Sequence, residues 1–125
     1  MDENKVKQFL RIKVKQWYYL IVVKGEGFTK YEGHSYKATF YRNFHGLGAG
    51  SNRIAQCSFM RRTIEFNMKK IKWNLDNKDG LEALVIHEIC HIVSPRGHGA
   101  HGPAFEKMYQ KYAGELAPAI DTLVM

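Results

Sequence analysis

Residues 80–94 read GLEALVIHEICHIVS. Leu81, Leu84, Val85, Ile89, Ile92 and Val93 recur at three- and four-residue intervals, the spacing of one apolar helix face. Asp79 followed three residues later by Glu82 has the pattern of a capping box and places a helix start near Gly80. Pro95 cannot continue a helix. The segment therefore predicts a helix over about residues 80–94. Inside it lies His87-Glu88-Ile89-Cys90-His91. Side chains four residues apart on a helix are separated by about 40° around the axis, so both imidazoles point from one face toward a single metal ion. Glu88 stands about 100° from His87, close enough to act on a water at the metal without entering its coordination sphere. With 6 histidines in the chain, this spacing arises by chance in roughly 2% of shuffled sequences.

A catalytic zinc site takes three protein ligands and keeps one position open. The frame H-E-x-x-H-x-x-G-x-x-H is missed: Ser94 stands at its glycine and Gly97 at its third histidine. Two histidines follow nearby, His98 and His101. His101 opens His101-Gly102-Pro103-Ala104-Phe105, where Pro103 suits the first position of a helix and fixes the turn that returns His101 to the metal. His101 is the preferred third ligand, His98 the next, and Glu106 a third alternative. The downstream helix is predicted over about 103–113, with Phe105, Met108 and Tyr112 on one face and Gly114 as its terminator. Zinc in such a site polarises a carbonyl and activates water; Glu88 would take the proton and deliver it to the leaving amine. Cys90 is expected to pack behind the site, and so is Cys57 in the core. His34 and His45 carry no signal, and Arg96 reads as a solvated loop residue.

Upstream, residues 2–24 are ambiguous. Val6, Leu10, Val14, Trp17 and Ile21 are spaced for a helix, while Leu10, Ile12 and Val14 also alternate with basic residues as in a strand. The helix is the preferred reading. Gly25, Gly27 and Gly33 mark a loop over 25–35. Three strands are predicted, Tyr36–Asn43, Arg53–Phe59 and Thr63–Met68. The stretch HGLGAGS at 45–51 lacks the lysine of a phosphate-binding loop and reads as a connection.

The 125 residues are 45% hydrophobic and 25% charged, the composition of one globular domain. Two cysteines outside any C-x-x-C pair argue against a disulfide scaffold and fit a reducing compartment. The charged start and the absence of a long apolar run predict a cytoplasmic protein with no membrane partner. Residues 1–80 carry 16 Lys/Arg against 7 Asp/Glu, and residues 81–125 carry 3 against 5. The basic excess lies outside the histidine segment, where it attracts polyanions such as DNA or simply maintains solubility. Trp17, Tyr18 and Tyr19 lie among lysines and could stack on bases, although such a cluster is more often core.

The arrangement H-E-x-C-H followed by H-G-P-x-F resembles the SprT-like family of zinc metallopeptidases, which includes the Spartan proteases. Asn52-Arg53-Ile54-Ala55-Gln56-Cys57 and Arg62-Thr63-Ile64-Glu65-Phe66-Asn67 are similar to the strand region before that family's active helix, so the resemblance covers about residues 36–110. It implies an α+β, zincin-like fold: a small antiparallel sheet of about three strands packed with the helix at 80–94, an N-terminal helix and the helix at 103–113. By resemblance, His87, His91 and His101 are zinc ligands and Glu88 the base. The implied activity is peptide-bond hydrolysis, in Spartan members of proteins crosslinked to DNA. Many members carry a cysteine-built zinc ribbon after the core. No cysteine follows Cys90 here, so the expected organisation is a single SprT-like domain over 1–125. Two further readings stand beside it: a non-catalytic, zinc-stabilised module that binds nucleic acid through the basic 1–80 region, and a zinc hydrolase of a non-peptide amide.

Overall fold

The computed structural model describes residues 1–28, 35–44, 52–94 and 101–125. The predictions for His34, His45, the 45–51 connection, Pro95, Arg96 and His98 lie outside them. The architecture is α+β, with four α-helices and a three-stranded sheet among the described residues.

Helix α1 spans Glu3–Trp17 and runs on as a π-helical stretch, Tyr18–Val23. Asp2 caps it by accepting a hydrogen bond from the Lys5 amide at 2.8 Å, and Glu3 in the first turn complements the positive end of the helix dipole. Val6, Leu10, Val14, Tyr18, Ile21 and Val22 are buried, whereas Ile12 is 48% exposed. The helical reading of this segment therefore holds against the strand reading. Trp17 is only half-buried, and its indole N–H donates to Glu82 at 2.9 Å. Of the three adjacent aromatics, Tyr18 is core and Tyr19 is exposed.

The strands are β1 (Lys37–Tyr41), β2 (Ala55–Ser58) and β3 (Thr63–Asn67). Their order is β1-β3-β2, with β3 antiparallel to β2 and parallel to β1. The sheet is therefore mixed, which corrects the expected antiparallel arrangement. The physical reason is the order of filling: β2 and β3 form a hairpin, and β3 takes the slot between β2 and β1. The last strand thus runs in the direction of the first. Arg62 makes the hairpin turn in the left-handed region at φ 53°.

On β3, Ile64 and Phe66 enter the core, and Glu65 on the opposite face is also fully buried. Its carboxylate is surrounded by donors: Arg61 Nε at 2.8 Å and Nη2 at 3.0 Å, Gln56 Nε2 at 2.8 Å, Thr63 Oγ1 at 2.9 Å and Tyr41 OH at 3.1 Å. Burial alone would raise its pKa. The hydrogen bonds from Arg61, Gln56, Thr63 and Tyr41 outweigh that cost and hold it at about 2. This carboxylate ties all three strands together.

A short helix α2 (Met68–Ile71) and one 3₁₀ turn (Lys72–Asn74) lead to α3, Lys78–Val93. The cap of α3 is Asn77, whose side chain accepts from the Gly80 amide at 3.0 Å, and not the Asp79–Glu82 pair expected from the sequence. A Cβ on Gly80 would lie 2.7 Å from the Asn77 side-chain amide, so a larger residue there would displace the capping side chain. Glu82 is engaged by Trp17 and, at 3.2 Å, by Lys13. Helix α3 ends at Ser94, whose extended φ −84°, ψ 145° is the conformation imposed on a residue before proline. It packs on α1, β2, α4 and the C-terminal segment, so it is buried on nearly every side.

Helix α4 spans Pro103–Ala113 with proline in its first turn, and Gly114 terminates it at φ 54°. Its buried face is Phe105, Tyr109 and Ala113, with Met108 and Tyr112 at the margin. Gly114–Thr122 then forms a 3₁₀ stretch across α3. Asn74 holds its end, donating to the Val124 carbonyl at 2.9 Å and accepting from its amide at 2.7 Å. No helix among the described residues is long and apolar enough to cross a membrane.

Candidate metal centre

Beyond Glu82, helix α3 is apolar except where His87, Glu88 and His91 meet an open cleft of about 820 Å³. One wall of the cleft is β2 with the two residues before it, another the middle of α4, and a third the 3₁₀ stretch. His87 and His91 stand one turn apart, with ring centroids 5.2 Å from each other. His101, immediately before α4, brings its ring to 4.9 Å from His87 and 5.3 Å from His91. Each imidazole offers one ligand atom within 4.8 Å of the other two, so this group could hold a metal ion. Helix α3 supplies two of its members through an i,i+4 pair, and the Gly102-Pro103 turn supplies the third.

The rings are arranged around Phe105. Its ring stacks on His91 at 4.4 Å and meets the edges of His87 at 4.9 Å and His101 at 5.1 Å. Phe105 is 2% exposed, so this post is fixed in the core. His91 is pushed down to about 4, chiefly by burial. It is therefore neutral at pH 7, the protonation state a metal ligand requires. Buried Nδ1 of His87 has no hydrogen-bond partner; Glu88 Oε1 lies 3.4 Å away without satisfying it. Three imidazoles that each bring one nitrogen within 4.8 Å of the others fit a borderline-soft divalent ion such as zinc, which takes imidazole ligands.

Glu88 is 6% exposed and lines the cleft beside His87. Glu106 lines the same cleft but stands outside the three-histidine group. Cys90 is buried and pushed up to about 12, first by burial and then by Glu26; it is an inert thiol that packs behind the site, as its place in the motif predicted. Among the described residues, no Cys, Asp or Glu joins the three imidazoles as a fourth ligand. Such a set is one short of a closed structural site.

Tyr109 is a site residue that the sequence reading passed over. It lies one turn beyond Phe105, lines the cleft and comes within 5.7 Å of the His87 ring. Its hydroxyl donates to the Ala117 carbonyl at 2.7 Å, and burial raises it to about 12. Its proton is thus committed to holding the 3₁₀ wall. The i,i+4 spacing of Phe105 and Tyr109 was the available signal.

Compared with protein-family models, curated proteins and solved structures, the chain matches none.

Proposed function

We propose that this chain is a zinc-dependent metallopeptidase with a zincin-like active site, in which His87, His91 and His101 hold the ion and Glu88 is the general base. The observation that carries this reading is the three-imidazole group with a buried carboxylate beside it in the wall of an open cleft. A bound zinc would supply Lewis-acid activation of water and of a carbonyl. Glu88 takes a proton from the attacking water and returns it to the leaving amine. Its neighbours limit its motion, because α3 is packed on both sides of it.

The cleft favours a polypeptide over a small amide. Strand β2 is an outer strand of the sheet, and its residues Ala55, Gln56 and Cys57 line the cleft. Among the described residues no strand lies on the other side of β2, and an outer strand offers backbone donors and acceptors to an extended chain, which adds to it as a further strand. A protein substrate is therefore the class this site suits.

The expected result is cleavage of an unfolded protein such as casein by the zinc-loaded chain, abolished by a chelator and restored by zinc. A zinc-loaded chain that leaves the protein intact while hydrolysing a small amide would overturn the peptidase assignment.

A further inference from the structure

We infer that the cleft holds an apolar recess beside the metal centre, and that this recess selects a large apolar side chain of the polypeptide substrate. Leu84 lines this part of the cleft. It stands three residues before His87 and four before Glu88, so it shares their face of α3 one turn nearer the helix start. Ala117 and Ile120 of the 3₁₀ stretch, with Leu123 just beyond it, line the same cleft. That stretch packs across α3. Leu84, Ala117 and Leu123 are buried, and Ile120 is half-buried. Tyr109 joins the recess to the metal centre: its ring lies 5.7 Å from that of His87, and its hydroxyl donates to the Ala117 carbonyl at 2.7 Å.

The inference rests on the peptidase reading, which puts the scissile carbonyl at the three imidazoles and a polypeptide in the cleft. A side chain next to that carbonyl, directed along α3 toward Leu84, meets only apolar groups from Leu84, Ala117, Ile120 and Leu123. Burying apolar surface there is favourable roughly in proportion to its area. A charged side chain would lose its water among these four residues without gaining a partner from them. Glu106 and Asp121 line the cleft as well, but both are exposed and remain solvated. The recess is also held in shape before substrate arrives. Tyr109 fixes Ala117 at one end, and Asn74 fixes the backbone of Val124, beside Leu123, through bonds of 2.9 and 2.7 Å. A preformed wall loses little freedom on binding, so its contacts count toward selection. Apolar pockets discriminate by roughly 10–200-fold for one methylene.

Fluorescence anisotropy tests it with labelled glycine–serine peptides that each carry one central leucine, alanine, lysine or aspartate. Zinc-loaded protein with Glu88→Gln is used, so that binding is read apart from cleavage. The leucine peptide should bind at least about tenfold tighter than the alanine peptide, and the lysine and aspartate peptides no tighter than alanine. Ile120→Asp should reduce the leucine-to-alanine ratio to about twofold or less, with zinc content unchanged. Ile120→Ala adds no charge to the wall and should lower the ratio in the same direction, which keeps the test open if the aspartate variant does not fold. Equal binding of the leucine and alanine peptides would overturn the recess. So would tighter binding of the lysine peptide, or a ratio that survives both substitutions. Cleavage of the same peptides by the unsubstituted protein separates this inference from the peptidase reading. A leucine preference in binding without any cleavage would keep the recess as a peptide-binding site and remove the peptidase assignment. Cleavage without that preference would remove the recess alone.

Discussion

Glu88→Gln is expected to lower hydrolysis of a protein substrate by roughly 10²–10⁴-fold, with zinc still bound and the fold intact. Glutamine has nearly the same shape as glutamate, and the three histidines that would hold the ion are untouched. Glu88 is 6% exposed and tightly packed on α3, so a near-isosteric replacement avoids a cavity. The amide cannot accept a proton from water, and that step alone is removed. Activity assays alongside metal analysis of the same preparation separate the effects. Loss of zinc together with activity would point to a structural role for Glu88. Full activity with zinc bound would remove it as the base.

Glu65→Ala is expected to cost on the order of 3 kcal/mol of stability. At roughly 1.4 kcal/mol per pH unit, the fall of its pKa from an ordinary 4.5 to about 2 corresponds to that amount. The side chain is fully buried, but its partner Arg61 is half-exposed, so solvent screening weakens the pair and about 3 kcal/mol is an upper bound. A folded-state pKa that is depressed contributes stability that is fully present above the unfolded value. It is lost as pH falls through the folded value. The wild-type protein should therefore lose stability between about pH 4.5 and pH 2. In Glu65→Ala that acid limb should be flattened, and the melting temperature at pH 7 should drop by up to about 10 °C. The alanine leaves donors from Arg61, Gln56, Thr63 and Tyr41 without an acceptor, and the half-exposed Arg61 turns to solvent. Thermal unfolding of the two proteins across this range measures both effects; identical curves would show that the carboxylate cluster is not coupled to folding.

How much could be read from the sequence depended on whether the signal was local. The helix carrying His87 and His91 was legible because a long apolar period runs through it and a proline follows it in the sequence. Helix α4 was legible from Pro103 and Gly114. His101 joins the other two imidazoles as its place before Pro103 suggested. The start of α3 was misassigned because Asp79 and Glu82 have the residue types of a capping box. Asn77, two residues earlier, meets the Gly80 amide first.

The parallel pairing of β1 with β3 was not legible, since strand order is a property of the whole chain and three short strands with turns between them suggest a meander. By strand alternation Glu65 falls on the face opposite Ile64 and Phe66, a position that is usually solvent-exposed. Its burial depends on donors from all three strands and from Arg61 in the turn, a coincidence that no local pattern records. The 3₁₀ stretch Gly114–Thr122 contains Pro118, which reads as a breaker, yet a 3₁₀ helix tolerates it because fewer backbone bonds are at stake. The basic excess of residues 1–80 was visible in composition. The grouping of Lys7, Arg42, Lys69 and Lys72 among α1, β1 and α2 required the fold.

In the proposed site three histidines hold one zinc ion and leave a coordination position open. X-ray absorption on the protein loaded with one equivalent of zinc tests it most directly. Three imidazole nitrogens and one non-protein oxygen are expected, all at about 2.0–2.1 Å, with the imidazole count falling to two in His101→Ala. A fourth protein ligand, such as another imidazole or a sulfur at about 2.3 Å, would describe a closed structural site and contradict the account.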